Sequence, residues 1–256
     1  MNGSIWAGKN PTHSKGLMEL TEQLKARIKQ WNEQLKEKGA RDVIGYFLDH
    51  FGDRVVLSTS LGLEDQVLTE MVVRQDPGAE IFTLDTGRLF PETYDLIART
   101  NKHFGIRITT YFPDYRKVEE MVARYGINLF YDSVKNRKMC CGIRKVAQLP
   151  RAFEGKEAWI CGLRKDQSVS RFFNRLVEWD GNNGLIRINP LINWSEKQVW
   201  DYVKAHKIPY NILHEQGFPS IGCEPCTRAI EPGEDVRAGR WWWEDEGPKE
   251  CGLHKR

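Results

Sequence analysis

Two pairs of cysteines constrain this chain more than any other feature. Cys140 and Cys141 are adjacent in Met139-Cys140-Cys141-Gly142-Ile143-Arg144-Lys145, and Cys223 and Cys226 flank Glu224-Pro225 in a CxxC turn much further on. Two neighbouring thiols followed by two cations make poor ordinary core, whereas a CxxC turn can aim both sulfurs at one ion or one cluster. Four thiolates serving one centre would require a fold that joins the two halves of the chain. Three chemistries fit the donor set. Zinc prefers separated sulfurs around a small tetrahedron, an iron–sulfur cube takes one thiolate per iron, and a redox disulfide or unligated thiols need no metal. Adjacent Cys140 and Cys141 reach two irons of one cube more easily than they chelate one small ion.

With 256 residues there is room for one α/β domain with a real core and an appended tail. The formal net charge is only +3, so selectivity for anions must come from local clusters of Arg and Lys, and bulk nucleic-acid binding is not indicated. No window is apolar for long enough to cross a bilayer, and Met1-Asn2-Gly3-Ser4-Ile5-Trp6 lacks the layout of a secretory signal. These features predict a cytoplasmic protein. In that reducing compartment the six cysteines serve as ligands or nucleophiles rather than as staples. Cys161 is the exception, since Ala158-Trp159-Ile160-Cys161 reads as a buried strand with a small core thiol.

Residues 1–16 lack periodicity and read as a flexible arm. Apolar steps of three or four from Leu17 to Lys38 predict a helix, and a second helix follows around Arg41 to Phe51. Then strand and helix alternate. Arg54 to Thr59 is a strand, Ser60-Leu61-Gly62 a small polar loop, and Leu63 to Gln75 a helix; this geometry offers backbone amides to an anion or a nucleotide. Glu80 to Leu84, the turn at Asp85, and a helix from Pro91 to Phe104 closed by Gly105 repeat the unit. A third strand spans Arg107 to Tyr111 and a third helix Pro113 to Tyr125. The Cys140 segment is expected on a short helix through Leu149, followed by a strand over Glu157 to Cys161 and a polar loop at Gly162-Leu163-Arg164. Phe172 to Trp179 and Leu185 to Ile188 read as paired strands, and Ser195 with Gln198 as a capping box for a helix to about Lys207. The pattern predicts a mostly parallel Rossmann-like sheet whose loops at Ser60, Asp85 and Gly162 open on one edge.

Residues 17–226 are the expected α/β domain, and 227–256 a solvated C-terminal tail. The tail ends in Glu250-Cys251-Gly252-Leu253-His254, where an accessible thiol beside glycine, lysines and a histidine is placed to be a nucleophile.

The motifs Ser60-Leu61-Gly62-Leu63-Glu64-Asp65, Leu84-Asp85-Thr86-Gly87-Arg88, Cys140-Cys141 with Lys145, Gly162-Leu163-Arg164-Lys165-Asp166-Gln167, Cys223-Glu224-Pro225-Cys226 and Glu250-Cys251-Gly252-Leu253-His254 together resemble the assimilatory sulfonucleotide reductases, in that family's order. A looser kinship is with the PP-loop, adenine nucleotide α-hydrolase-like enzymes. Their Ser-Gly-Gly-x-Asp-Ser loop is replaced here, which argues against ATP cleavage. The resemblance implies a [4Fe-4S] cluster on Cys140, Cys141, Cys223 and Cys226, and adenosine 5'-phosphosulfate (APS) as the substrate. It further implies that Cys251 attacks the sulfate sulfur, that AMP leaves, and that thioredoxin releases sulfite from the S-sulfocysteine.

Lys145, Arg237, Arg240 and His254 would then meet the phosphosulfate. Ser60, Gly62, Leu84, Asp85, Gly162 and Arg164 would hold the adenosine end. The alternatives are a reductase for the 3'-phosphorylated substrate (PAPS), a PP-loop sulfurtransferase acting on tRNA, and a zinc-ribbon module binding nucleic acid.

Overall fold

The computed structural model describes residues 19–167 and 171–244. The expected arm at 1–16, and Cys251 and His254, lie outside the described residues. Six strands form one sheet: β1 (Val55–Ser58), β2 (Ile81–Leu84), β3 (Thr109–Tyr111), β4 (Ala158–Ile160), β5 (Val177–Asp180) and β6 (Leu185–Ile188). Their order is β3-β2-β1-β4-β6-β5, parallel throughout except for the β5–β6 hairpin. That hairpin turns at Asp180 to Gly184, where Asp180 Oδ1 accepts from the Asn182 and Asn183 N–H groups and Gly184 is left-handed at φ 65°.

Eight helices accompany the sheet among the described residues: α1 (Glu22–Leu35), α2 (Ala40–Phe51), α3 (Leu63–Gln75), α4 (Pro91–Phe104), α5 (Tyr115–Tyr125), α6 (Val134–Arg144), α7 (Leu149–Ala152) and α8 (Glu196–Ala205). Strand alternation sorts the core onto two faces. Val55 and Leu57 join the large cluster built with α1, α2, α3 and α8, while Val56 joins Phe82, Trp159 and Phe153 on the other side. Sheet edges are tied down individually. Asn32 on α1 donates to the Val177 carbonyl at 2.8 Å and accepts from the Val177 N–H at 3.2 Å, so a side-chain amide substitutes for a neighbouring strand beside β5.

Local signals explain where most helices stop. Pro91 opens α4 and a left-handed Gly105 closes it, while Ser195 and Gln198 form the full capping box of α8. Three expectations are corrected. The cysteine helix does not begin near Cys140 and run through Leu149: the Ser133 hydroxyl caps it at Asn136 N, and Lys145, at φ −128° and ψ −63°, ends it. The strand expected from Phe172 shrinks to Val177–Asp180, leaving Phe172 and Phe173 exposed.

The chain beyond Cys226 is not a solvated tail as far as Glu244. Trp241 is 2% exposed and shares an apolar cluster with Met121, Leu129, Phe130, Cys140 and Cys226. Among the described residues, no helix is long and apolar enough to cross a membrane.

Candidate active site

The carboxyl ends of β1, β2 and β4 open on one cleft, as the alternating pattern predicts. Ser60 and Gly62 line it from the first loop, Leu84 and Thr86 from the second, and Gly162 and Arg164 from the third. The first loop is held by Asp65 in the opening turn of α3, whose Oδ2 accepts from the Ser60 N–H and hydroxyl. Burial pushes the Asp65 carboxyl up to about 6, and the Ser60 and Gly162 hydrogen bonds only partly offset that. Gly162 is required by close approach, because a Cβ there would overlap the Asp65 carboxylate and stand 2.8 Å from the Glu64 Cβ. Arg164 lines the cleft with its Nε on Glu64 Oε1 at 2.7 Å.

Asp85 departs from expectation. Its Oδ1 accepts from Gly87 N–H at 2.6 Å and from the Tyr94 hydroxyl at 2.9 Å, so it shapes its own turn while its neighbours Leu84 and Thr86 line the cleft.

The second loop also joins the two cysteine segments. Thr86 Oγ1 lies 3.1 Å from Cys223 Sγ, and the Thr86 carbonyl accepts from Arg144 at 2.8 Å. Leu89 bridges Cys223, and Glu224 N–H donates to the Arg88 carbonyl at 2.9 Å. All four expected cysteines therefore line the same cleft: Cys140 and Cys141 from the end of α6, Cys223 and Cys226 around a short 3-10 turn. Helical spacing gives each α6 thiol a guanidinium one turn away, Arg144 for Cys140 and Arg137 for Cys141.

Burial pushes the Cys140 and Cys226 thiols up, against the pull of Arg144 and Arg240. None of the described cysteines is in a disulfide, and among the described residues no group of three His, Cys, Asp or Glu side chains is arranged to hold a metal ion. Cys161 sits outside this quartet as a core residue, 2% exposed, its thiol on Asn189 Oδ1 at 3.1 Å.

The expected cations arrive from two directions. Lys145 reaches the cleft directly after α6, while Arg237 and Arg240 reach it from the segment after Cys226. Arg240 lies over the Trp241 ring and fits beside Gly222, where a Cβ would overlap its guanidinium. Three further residues at this cleft were missed in the sequence: Thr86, Arg144 and His214. Arg144 stands next to Lys145 and was available as a signal. His214 gave none: burial pulls its pKa down from the usual histidine value, and its Nε2 is buried without a hydrogen-bond partner among the described residues.

The chain is similar in sequence and fold to known proteins. Residues 54–229 match the phosphoadenosine phosphosulfate reductase domain. The chain is 55% identical over 204 residues to the adenosine 5'-phosphosulfate reductase of Allochromatium vinosum, covering 80% of each chain. It is 47% identical over 236 residues to the protein of that name from Sinorhizobium fredii (strain USDA 257), covering 91% of this chain and 93% of the other. Among solved structures, a phosphoadenylyl-sulfate reductase from Candida auris in complex with phosphate superposes with a TM-score of 0.71 at 27% identity, over 84% of this chain and 100% of that one. The Candida glabrata FMN adenylyltransferase, at a TM-score of 0.53 and 14% identity over 88% of this chain and 76% of the other, shares the fold alone.

Proposed function

Because the chain belongs to the phosphoadenosine phosphosulfate reductase family, we propose that it reduces APS to sulfite and AMP, with a thioredoxin-type dithiol protein as the electron donor. One observation carries this reading: the Ser60 loop, both cysteine segments and the cations Lys145, Arg237 and Arg240 line a single cleft. An adenine nucleotide bearing a phosphosulfate has one end for each part of that lining. The identity of 55% and 47% to proteins named APS reductase supports APS over its 3'-phosphorylated form.

The Cys251 thiolate attacks the sulfate sulfur. An S–S bond forms as the S–O bond to phosphate breaks, and the electron pair of that bond departs with AMP. Attack by an anion on a polyanion meets a largely electrostatic barrier, which Lys145, Arg237, Arg240 and His254 lower by holding the phosphosulfate oxygens. The same cations favour the thiolate of Cys251 over its thiol. One thiolate of the dithiol donor then attacks the Cys251 sulfur, and sulfite leaves with the S–S electron pair. The donor's second thiol closes its disulfide and returns Cys251 as a thiolate. Two electrons pass from donor to sulfur, and none need come from elsewhere. Reduced thiols and a dithiol donor suit a reducing cytoplasm.

Cys140, Cys141, Cys223 and Cys226 would hold a [4Fe-4S] cluster, one thiolate for each iron, which would fix the two segments and the charge around Lys145. The donor set supports this: four cysteines outside any disulfide line one cleft, two of them beside guanidiniums that would balance thiolate charge.

Intact mass of anaerobically purified protein after exposure to APS or PAPS without donor, beside Cys251→Ser, tests the reading. The expected result is one sulfonate from APS, absent in the variant and released as sulfite by thioredoxin. A sulfonate from PAPS alone would reassign the substrate, and none from either would overturn the reaction.

A further inference from the structure

Arg137 makes a contact that neither substrate binding nor thiol ligation requires. Its Nε and one terminal nitrogen form a fork onto both carboxylate oxygens of Glu244, at 2.6 and 2.8 Å. The two side chains are 8% and 10% exposed, so the pair is buried. Its guanidinium also lies 4.3 Å over the Trp241 ring and bonds to Cys141. Backbone bonds continue the attachment: Trp241 N–H donates to the Cys226 carbonyl at 3.2 Å and Glu244 N–H to the Trp241 carbonyl at 3.0 Å.

A buried ion pair is an inefficient way to add stability, because desolvation offsets most of the attraction. A two-point fork adds direction instead, fixing both the position and the heading of the carboxylate's backbone. Cys251 follows Glu244 in the sequence by roughly seven residues, which at ~3.5 Å each limits the thiol to about 25 Å from that point. The same helix that carries Arg137 also carries Cys140, Cys141 and, at its end, Lys145.

We propose that Arg137 and Glu244 are positioning residues that pin the start of the Cys251 tether to α6, so that the nucleophile and Lys145 are referred to one helix. This rests on the reading that Cys251 is the nucleophile. The pin raises the local concentration of the thiol at the phosphosulfate without touching substrate. Losing it slows the first chemical step while nucleotide binding stays as it was.

The variants are Glu244→Ala, which removes the fork, and Glu244→Gln, which keeps its shape and one acceptor oxygen. Single-turnover S-sulfonation of the holoenzyme at saturating APS should fall at least tenfold in Glu244→Ala and less in Glu244→Gln. The AMP dissociation constant and iron per chain should stay within twofold of wild type. Amide hydrogen exchange at Trp241 and Glu244 should accelerate at least tenfold in Glu244→Ala, a readout independent of turnover. Unchanged exchange, an unchanged S-sulfonation rate, or a rate lost only in proportion to iron would each overturn the proposal. If wild type takes no sulfonate from APS or PAPS, the proposed reaction falls and the positioning role with it, while the exchange result still decides whether the fork holds the chain.

Discussion

Asp65 Oδ2 lies 2.6 Å from the backbone nitrogen of Ser60 and 2.7 Å from its hydroxyl. This one carboxylate shapes the first loop of the cleft, and it does so while buried, with its pKa raised to about 6 from 3.8 mainly by desolvation. The folded protein therefore holds this proton at pH values where the unfolded chain has released it. Its contribution to stability is full below about pH 4 and is lost as pH rises through about 6. Relative to Asp65→Asn, wild type should lose on the order of 2–3 kcal/mol of unfolding free energy between pH 4 and pH 7. Urea unfolding of both proteins across that range checks it, and a flat difference would refute the assignment.

Glu70, further along α3, organises its packing with α2 and α8. Its carboxylate is 2% exposed and receives Arg41 from α2, Arg74 from its own helix, and the Tyr202 hydroxyl from α8 at 2.6 Å. Glu70→Ala should cost about 2–4 kcal/mol by leaving these donors without their acceptor. AMP affinity should be unchanged, since Glu70 lies away from the cleft lining. Denaturant unfolding beside nucleotide titration separates the two effects.

Lys145 tests the electrostatic account of the reaction. Lys145→Ala should slow S-sulfonation about 100-fold while iron per chain stays near wild type. Rapid-quench mass measurement and iron analysis of the same sample are sufficient. Iron lost in step with the rate would reduce Lys145 to support for the cysteine helix.

The sequence disclosed most where punctuation and periodicity coincide. The expected spans Leu63 to Gln75 and Pro91 to Phe104 match α3 and α4 end to end, because a glycine cap, a first-turn proline and a left-handed glycine mark them. Helix α6 was harder to delimit. Val134-Lys135-Asn136-Arg137-Lys138 has no apolar stripe, so its start depends on the Ser133 cap alone, and without the helical register Arg137 could not be assigned to Cys141.

Contacts across long separations were silent for another reason. Thr86 with Cys223, and Arg137 with Glu244, join residues that no local pattern relates. Asp85 was over-read, since a carboxylate in a turn satisfies the turn first. The segment after Cys226 was under-read, because its charged composition outweighed Trp241, which is buried beside the thiols, and Trp243, which packs against the same cluster.

The strand order has a consequence for synthesis. β1 sits at the centre of the sheet between β2 and β4, and Val55 pairs with Ala158, so the ribosome must complete most of the chain before the central ladder can close. The CxxC turn emerges later still and docks onto Thr86, Arg88 and Leu89, which were made long before it. A nascent chain that has already exposed Cys140 and Cys141 thus offers two thiols but no enclosed quartet. On the proposed reading that the four cysteines hold one group, its full set of ligands exists only once translation has passed Cys226.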